Sequence, residues 1–353
     1  MRSFFSQRIL VLFAIGIGSA VSAGPILPSG TNDTDVIQSA LDAAAVSSPV
    51  GAVVLAEGRF RLDAQLAVTN GVTLRGQGRD KTVIVQTAPK CRCVLLDGGS
   101  RLEGLALTGG NVEAESGAGV WVRNGVVSYC RVSGNSVTKG EGIFGAGVSF
   151  SGGRGAIDHS IVADNTISTG GSGAGIGGRD TCGPIDVETC LICGNDSSGG
   201  TAGGAGFDGA ADRVSVRHCT VAGNSANVGV GGFAFANGRL TLFNTVLARN
   251  TLNFGESNLS VAAGSIDTEA SGFCFFGLAS ESDGSRIVGA QYGSPAFVDA
   301  ANGDYHLRLS SELGAEDVSG KLTDLDDVCR SGAVDVGCYE KATMPRSALL
   351  SIR

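Results

Sequence analysis

Charge is sparse in this chain, and basic charge is sparser than acidic. Only 17% of residues are charged, with 26 Lys and Arg against 34 Asp and Glu. No basic patch stands out against that deficit. The balance argues against a nucleic-acid partner and against attachment to anionic lipid, and leaves neutral sugars, cations and basic partners open. Aromatic side chains are also few, with one Trp and four Tyr, so a sugar-stacking platform has few residues to draw on. Trp121 and the outward-corner Tyr129 are the positions that stand out. The chain has no Leu-x-x-Leu-x-Leu string, no Trp-Asp signature and no 3.6-residue period in its repeated segments. Leucine-rich, propeller and helical-pair repeats therefore fit poorly. No Ser-His-Asp grouping and no phosphate-cradling loop stands out.

Glycine is plentiful, at 56 residues, while proline is limited to 7. The glycines sit at short intervals among Val, Ile and Leu, and mean hydropathy is +0.19. Many turns between short buried strands explain this composition better than disorder does. At the N-terminus, Arg2 and Arg8 precede the apolar run 9–17, and Val21-Ser22-Ala23 supplies small residues for cleavage before Gly24. That is the pattern of a secretory signal peptide over residues 1–23. The run is short for a membrane span and none comparable follows, so no transmembrane segment is expected in the mature chain. Loss of the leader with its two arginines takes the formal charge from −8 to −10. The expected location is secreted, extracellular or cell-surface, and the expected state is a monomer.

Five segments share one form and end on Asn135, Asn165, Asn195, Asn224 and Asn250. A second motif interleaves with them: Gly117-Ala-Gly-Val120, Gly145-Ala-Gly-Val148, Gly173-Ala-Gly-Ile176 and Gly204-Ala-Gly-Phe207, with a degenerate copy at Gly231-Gly-Phe233. Eight residues before each Asn stands Val127, Ile157, Val187, Val216 or Leu242. Five before stands Cys130, Ser160, Cys190, Cys219 or Thr245. Three before stands Val132, Val162, Ile192, Val221 or Leu247. The last two columns differ by two residues, which is strand alternation. Two consecutive non-core residues between the first two columns read as a corner, and the asparagine marks the next corner. A period near 28 residues containing several short strands is one coil of a solenoid. The fold class is therefore all-β, a right-handed single-stranded parallel β-helix in which the asparagines stack as an internal ladder.

The chain divides into a leader (1–23), a β-helix (24–290), a loop-rich C-terminal cap or anchor-type region (291–341) and a tail (342–353). Ile37, Ala40, Leu41 and Ala44 give the helical spacing of a cap helix near 33–46, with Asp33 or Thr34 as its N-cap. Strands are expected at 52–55, 72–74, 83–85, 94–96 and 105–107.

The segments 31–44, 52–58 and 71–78 resemble the opening coils of the pectate-lyase-like β-helix superfamily. The Asn-terminated and Gly-Ala-Gly motifs resemble the repeats of chlamydial polymorphic outer membrane proteins, although no C-terminal β-barrel follows. The tail 294–307, with Asp324-Leu-Asp326 and 333–340, is similar to the choice-of-anchor region of exported β-helix proteins. The resemblance implies fold and export more than activity, since one fold hosts many functions.

Ile157-Asp158-His159-Ser160 resembles a Trp-Ile-Asp-His stretch of pectate lyases, without the Trp. That resemblance implies carboxylate-bound Ca²⁺ and a basic residue that removes the proton beside a uronate carboxylate. Asp158, Glu188 and Arg217 share one column, and His159 and His218 share the next, so these five form a candidate catalytic corner. The same positions are also solvated corners where any polar residue is tolerated. Gly203–Ala211 matches a calcium-binding nonapeptide, but only once, as a by-product of the Gly-Ala-Gly repeat. No metal site is expected elsewhere: Cys190 faces inward and Cys193 outward, so with Cys182 they cannot share a tetrahedral ion. Cys190 and Cys219 stack on neighbouring coils, as a disulfide or as buried thiols. Cys329 and Cys338 are the favoured disulfide pair. The favoured function is non-catalytic binding of a polysaccharide or a cell-surface partner. The alternative is a polysaccharide lyase or hydrolase.

Overall fold

The computed structural model describes residues 24–179, 183–208, 211–253, 255–261, 266–267, 271–272, 274–277, 289–308, 323–328, 330 and 335–340. The leader and the tail lie outside them. One coil shows the plan. Val120–Val122 belongs to sheet I, Gly125–Ser128 to sheet II, Arg131–Ser133 to sheet III and Ser136–Val137 to sheet IV. The chain then returns to sheet I at Val148–Phe150, and each of these strands pairs in parallel with its counterpart one coil on. Sheets I and II have eight strands each and sheet III has ten. The result is a right-handed parallel β-helix of about seven turns.

The cap helix α1 (Thr34–Ala45) covers the first coil through buried Ile37 and Leu41, with Ala40 and Ala44 packed beside them. Its capping differs from expectation. Asp33 occupies the N-cap position but makes no side-chain cap. Its buried carboxylate instead accepts the Ser29 N–H at 2.6 Å and the Arg61 N–H at 2.8 Å, tying the chain's entry to the first coil. Asn32 supplies the helix acceptor, taking the Thr34 N–H at 3.0 Å. The strands Gly58–Leu62, Leu66–Val68 and Ser100–Glu103 were not anticipated, because their coils lack the repeat motifs that mark the rest.

Two left-handed residues bracket the central strands of sheet III. Tyr129, His159, Thr189, His218 and Asn244 turn the chain in from sheet II with φ between 44° and 52°. Gly134, Asp164, Gly194, Gly223 and Arg249 turn it out again with φ between 56° and 68°. Between them the small column does more than permit close stacking. Ser160, Cys190, Cys219 and Thr245 each donate to the carbonyl two residues back, at 2.7–3.1 Å, adding a second donor to an oxygen that already accepts the corner N–H of the preceding coil.

The five asparagines and Asn258 form a continuous ladder. Each Oδ1 from Asn165 onward accepts both the amide and the backbone N–H of the previous asparagine, at 2.8–3.2 Å. The second amide proton goes to a strand carbonyl of the coil before, as from Asn195 to Val162 at 3.0 Å. All six side chains are buried.

The second glycine of the Gly-Ala-Gly motif lies against this ladder. A Cβ on Gly119, Gly147, Gly175, Gly204 or Gly232 would come within 2.7–3.0 Å of the nearest asparagine amide nitrogen. The two sequence motifs keep one period because they touch. This contact also corrects one reading. The position is held in the fourth copy by Gly204, with Ala205 paired to Ile176, so Gly204-Ala-Gly-Phe207 was read two residues out of register. A slip of two preserves strand alternation, which is why the sequence alone did not expose it.

Asn195→Ala removes an acceptor for two N–H groups of Asn165 and a donor to Val162 and Asn224, and should cost about 2–4 kcal/mol. Gly175→Ala should cost a similar amount by displacing the same amide, and the double variant should cost less than the sum of the two. Denaturant unfolding of the three variants measures both effects, and additive losses would separate the glycine from the ladder.

Candidate functional site

The register places Ser128, Asp158, Glu188, Arg217 and Phe243 in one row on the outside of sheet II. His159, Thr189 and His218 follow one residue later, at the corner. The expected cluster is thus brought together as a row along the solenoid, not as a ring around a point.

Its members are individually committed. The Asp158 carboxylate accepts from Ser128 and His159, with Arg101 3.9 Å away. Burial opposes its charge, but these partners outweigh it and hold the carboxyl below its usual range. His159 stacks on Tyr129 at 4.7 Å between centroids, and its Nε2 lies 3.3 Å from the Thr323 carbonyl. His218 is 2% exposed, with Nδ1 at 2.7 Å from the Asn244 amide nitrogen. Burial, then the charges of Arg330 and Arg217, lower its pKa to about 3, so the ring stays neutral. The Arg217 guanidinium bonds Ser215 at 2.9 Å and lies over Phe243.

Ca²⁺ requires six or more converging oxygens. Among the described residues no three His, Cys, Asp or Glu side chains converge. The row offers two neighbouring carboxylates, one of them already engaged, so these residues do not fit the ion.

Both histidines are covered by the C-terminal segment, which was expected to cap the helix. Its start, Gln291–Tyr292, adds the last strand of sheet III, while its described residues from Phe297 onward lie along the flank. Phe297, Tyr305, Leu307, Leu325, Val336, Cys338 and Tyr339 pack on Ile161, Ala163, Leu191, Cys193, Ala222, Val246 and Ala248 of sheet III. The signal was present in Ile161-Val-Ala163, Leu191-Ile-Cys193 and Val246-Leu-Ala248, which are apolar at three successive positions. Such a strand is buried on both faces.

The segment is pinned at two places. Arg330 pairs with Glu340 at 2.7 Å and donates to the Asp335 and Gly337 carbonyls. His306 lies between Asp304 (2.6 Å) and Asp326 (2.7 Å) and stacks on Tyr339 at 3.9 Å. Among the described residues the cysteines are free thiols, including Cys190, Cys219 and Cys338, so no Cys190–Cys219 bond is formed. Cys329, the expected partner of Cys338, lies outside the described residues.

A second site lies on sheet I. Its outward column runs Leu95, Trp121, Ser149, Gly177, Gly206. A two-stranded ribbon, Ile143–Phe144 with Gly171–Ser172, crosses over the last two. A Cβ on Gly177 would collide with Phe144 and Gly145, and one on Gly206 with Ser172 and Gly173. Beside the ribbon, a cleft of about 560 Å³ is lined by Trp121 and Ser149. Arg92, Glu115, Ser116, Gly142, Phe150 and Ser151 complete its lining. Indole Nε1 donates to Ser151 at 2.6 Å, and the Arg92 guanidinium stands 4.7 Å from the ring centroid. The sequence flagged Trp121 only as one rare aromatic. Arg92, Glu115 and Ser149 were not anticipated, because three coils and a side ribbon must be in place before they meet.

The class the fold defines is the right-handed parallel β-helix. No protein-family model matches the chain, and no curated protein matches it. Among solved structures it is similar to one described as the crystal structure of pectate lyase Pel9A, at 12% identity and a TM-score of 0.44. The alignment covers 90% of this chain and 96% of that one.

His306 yields a pH prediction. Burial disfavours its charge, but Asp326 and Asp304 outweigh that and raise its pKa above the ordinary value. Its contribution to stability is complete below about pH 6.5, the unfolded value, and is lost as pH rises through the raised folded value. The thermal midpoint of His306→Gln should fall furthest below that of the parent at acid pH and converge with it in alkali. A constant difference across pH would show that the ring is held by packing alone.

Proposed function

We propose that this chain is an exported β-helix that binds carbohydrate without turning it over. The carrying observation is the cleft on sheet I, where the only Trp of the chain meets hydroxyl groups and a charge-paired Arg–Glu wall on a rigid sheet. Clefts of this size, with one aromatic surface and a few convergent polar groups, suit small segments of a polymeric ligand. The row from Asp158 to Arg217 supports the non-catalytic half of the reading. Its acid is held ionised, one imidazole is held neutral in the interior, and the other is bonded to the C-terminal segment. General acid–base work needs a group that reaches the substrate and titrates near the working pH.

A polysaccharide panel incubated with the purified protein, with and without Ca²⁺, tests this reading. Saturable binding with no new reducing ends and no unsaturated products is the expected result. Product release that depends on Ca²⁺ and disappears in Arg217→Ala would replace it with the lyase reading. Export is tested separately by N-terminal sequencing of protein recovered from the medium, which should begin at Gly24.

A further inference from the structure

Resting on that reading, we infer that the sheet I cleft takes a neutral pyranose, stacked on Trp121 and selected by the Ser149 hydroxyl. Ser149 is the register neighbour of Trp121 and projects outward from the next coil, one strand spacing away. The residue is 2% exposed, lines the cleft and makes no side-chain hydrogen bond among the described residues. Its Oγ is not one of the enclosed, unpaired polar atoms of the described residues, so it opens onto the cleft and is available to a ligand. A hydroxyl that can donate and accept matches a sugar hydroxyl, which does both. The indole beside it is fixed by its bond to Ser151.

The charges around the cleft are already spoken for. Arg92, 7% exposed, donates to Gly117 at 3.2 Å, Gln65 at 3.1 Å, Ser116 at 3.0 Å and Glu115 at 2.6 Å. Four of its five N–H groups are thus taken, and no two remain to form a bidentate pair with a carboxylate. Arg123, the other cation near the indole, is 3.5 Å from Asp97. A uronate entering here would lose its water beside Glu115 without gaining a free cation. A neutral ring loses nothing of the kind. It can place its apolar face on the indole and its hydroxyls toward Ser149 and Glu115.

The test uses the full mature chain, in which Trp fluorescence reports on this cleft alone because the chain has one Trp. The probes are cellotriose, xylotriose, mannotriose and trigalacturonate. At least one neutral trisaccharide should perturb the fluorescence saturably, while trigalacturonate does not. Ser149→Ala, with an unchanged thermal midpoint, should weaken that binding about fivefold. Glu115→Gln leaves the Arg92 charge unneutralised and should raise affinity for trigalacturonate about tenfold.

Preference of the parent for trigalacturonate would overturn the neutral class and leave carbohydrate binding standing. Neutral-sugar binding that is silent in fluorescence and indifferent to Ser149→Ala would overturn the site alone. Silence toward every trisaccharide overturns the inference. If the polysaccharide panel is silent as well, the carbohydrate reading falls with it.

Discussion

The contact between each ladder asparagine and a glycine of the returning chain governs this molecule. A solenoid of this size must bury many chain reversals, and each reversal exposes backbone groups that strand ladders do not use. The asparagines satisfy them, because one oxygen takes two N–H groups from the coil below while the nitrogen serves both a neighbouring asparagine and a strand carbonyl. That arrangement leaves no room for a Cβ where the chain passes back into sheet I. Glycine is therefore required there for space, while the glycines at the outgoing corner are favoured for their positive φ. From this contact follow the period, the side ribbon beyond the ladder and its own small core of Val112, Val137, Ile143 and Ile167.

The C-terminal segment changes what the solenoid surface can do. Without it, sheet III would expose an apolar stripe, and the corner histidines would face solvent. With it, the stripe becomes a second core and the histidines become part of a seam. The proposed carbohydrate surface is one that the segment does not cover. On sheet I the side ribbon crosses where the sheet carries glycines, and the Trp121 cleft lies beside it. One glycine pair thus permits the close approach of the ribbon.

The coil plan was legible because buried positions repeat. Val127, Ile157, Val187, Val216 and Leu242 occupy one core column, and a parallel ladder forces such columns into register. The row of Asp158, Glu188 and Arg217 could be read the same way, since rows follow from columns. Burial at the row could not. Outward positions look alike whether they face water or another segment, and His218 is enclosed by residues more than a hundred positions later. The Gly204 slip had a different origin. Alternating Gly and Ala fit the strand period at two offsets, and only contact with Asn224 chooses between them.

By itself the sequence determined the repeat, the direction of each core column, the ladder positions and the cap helix, because these depend on spacing within one coil and its neighbour. The tertiary structure decided the rest. Asp33 spends its carboxylate on the first coil, the described C-terminal residues from Phe297 onward pack on the flank, the cysteines stack as thiols, and Trp121 meets Arg92 and Ser149 in a cleft. Each of these outcomes depends on which distant segment occupies an outward face. Local periodicity carries no information about that choice, since it is made by shape and apolar area only after the coils have stacked.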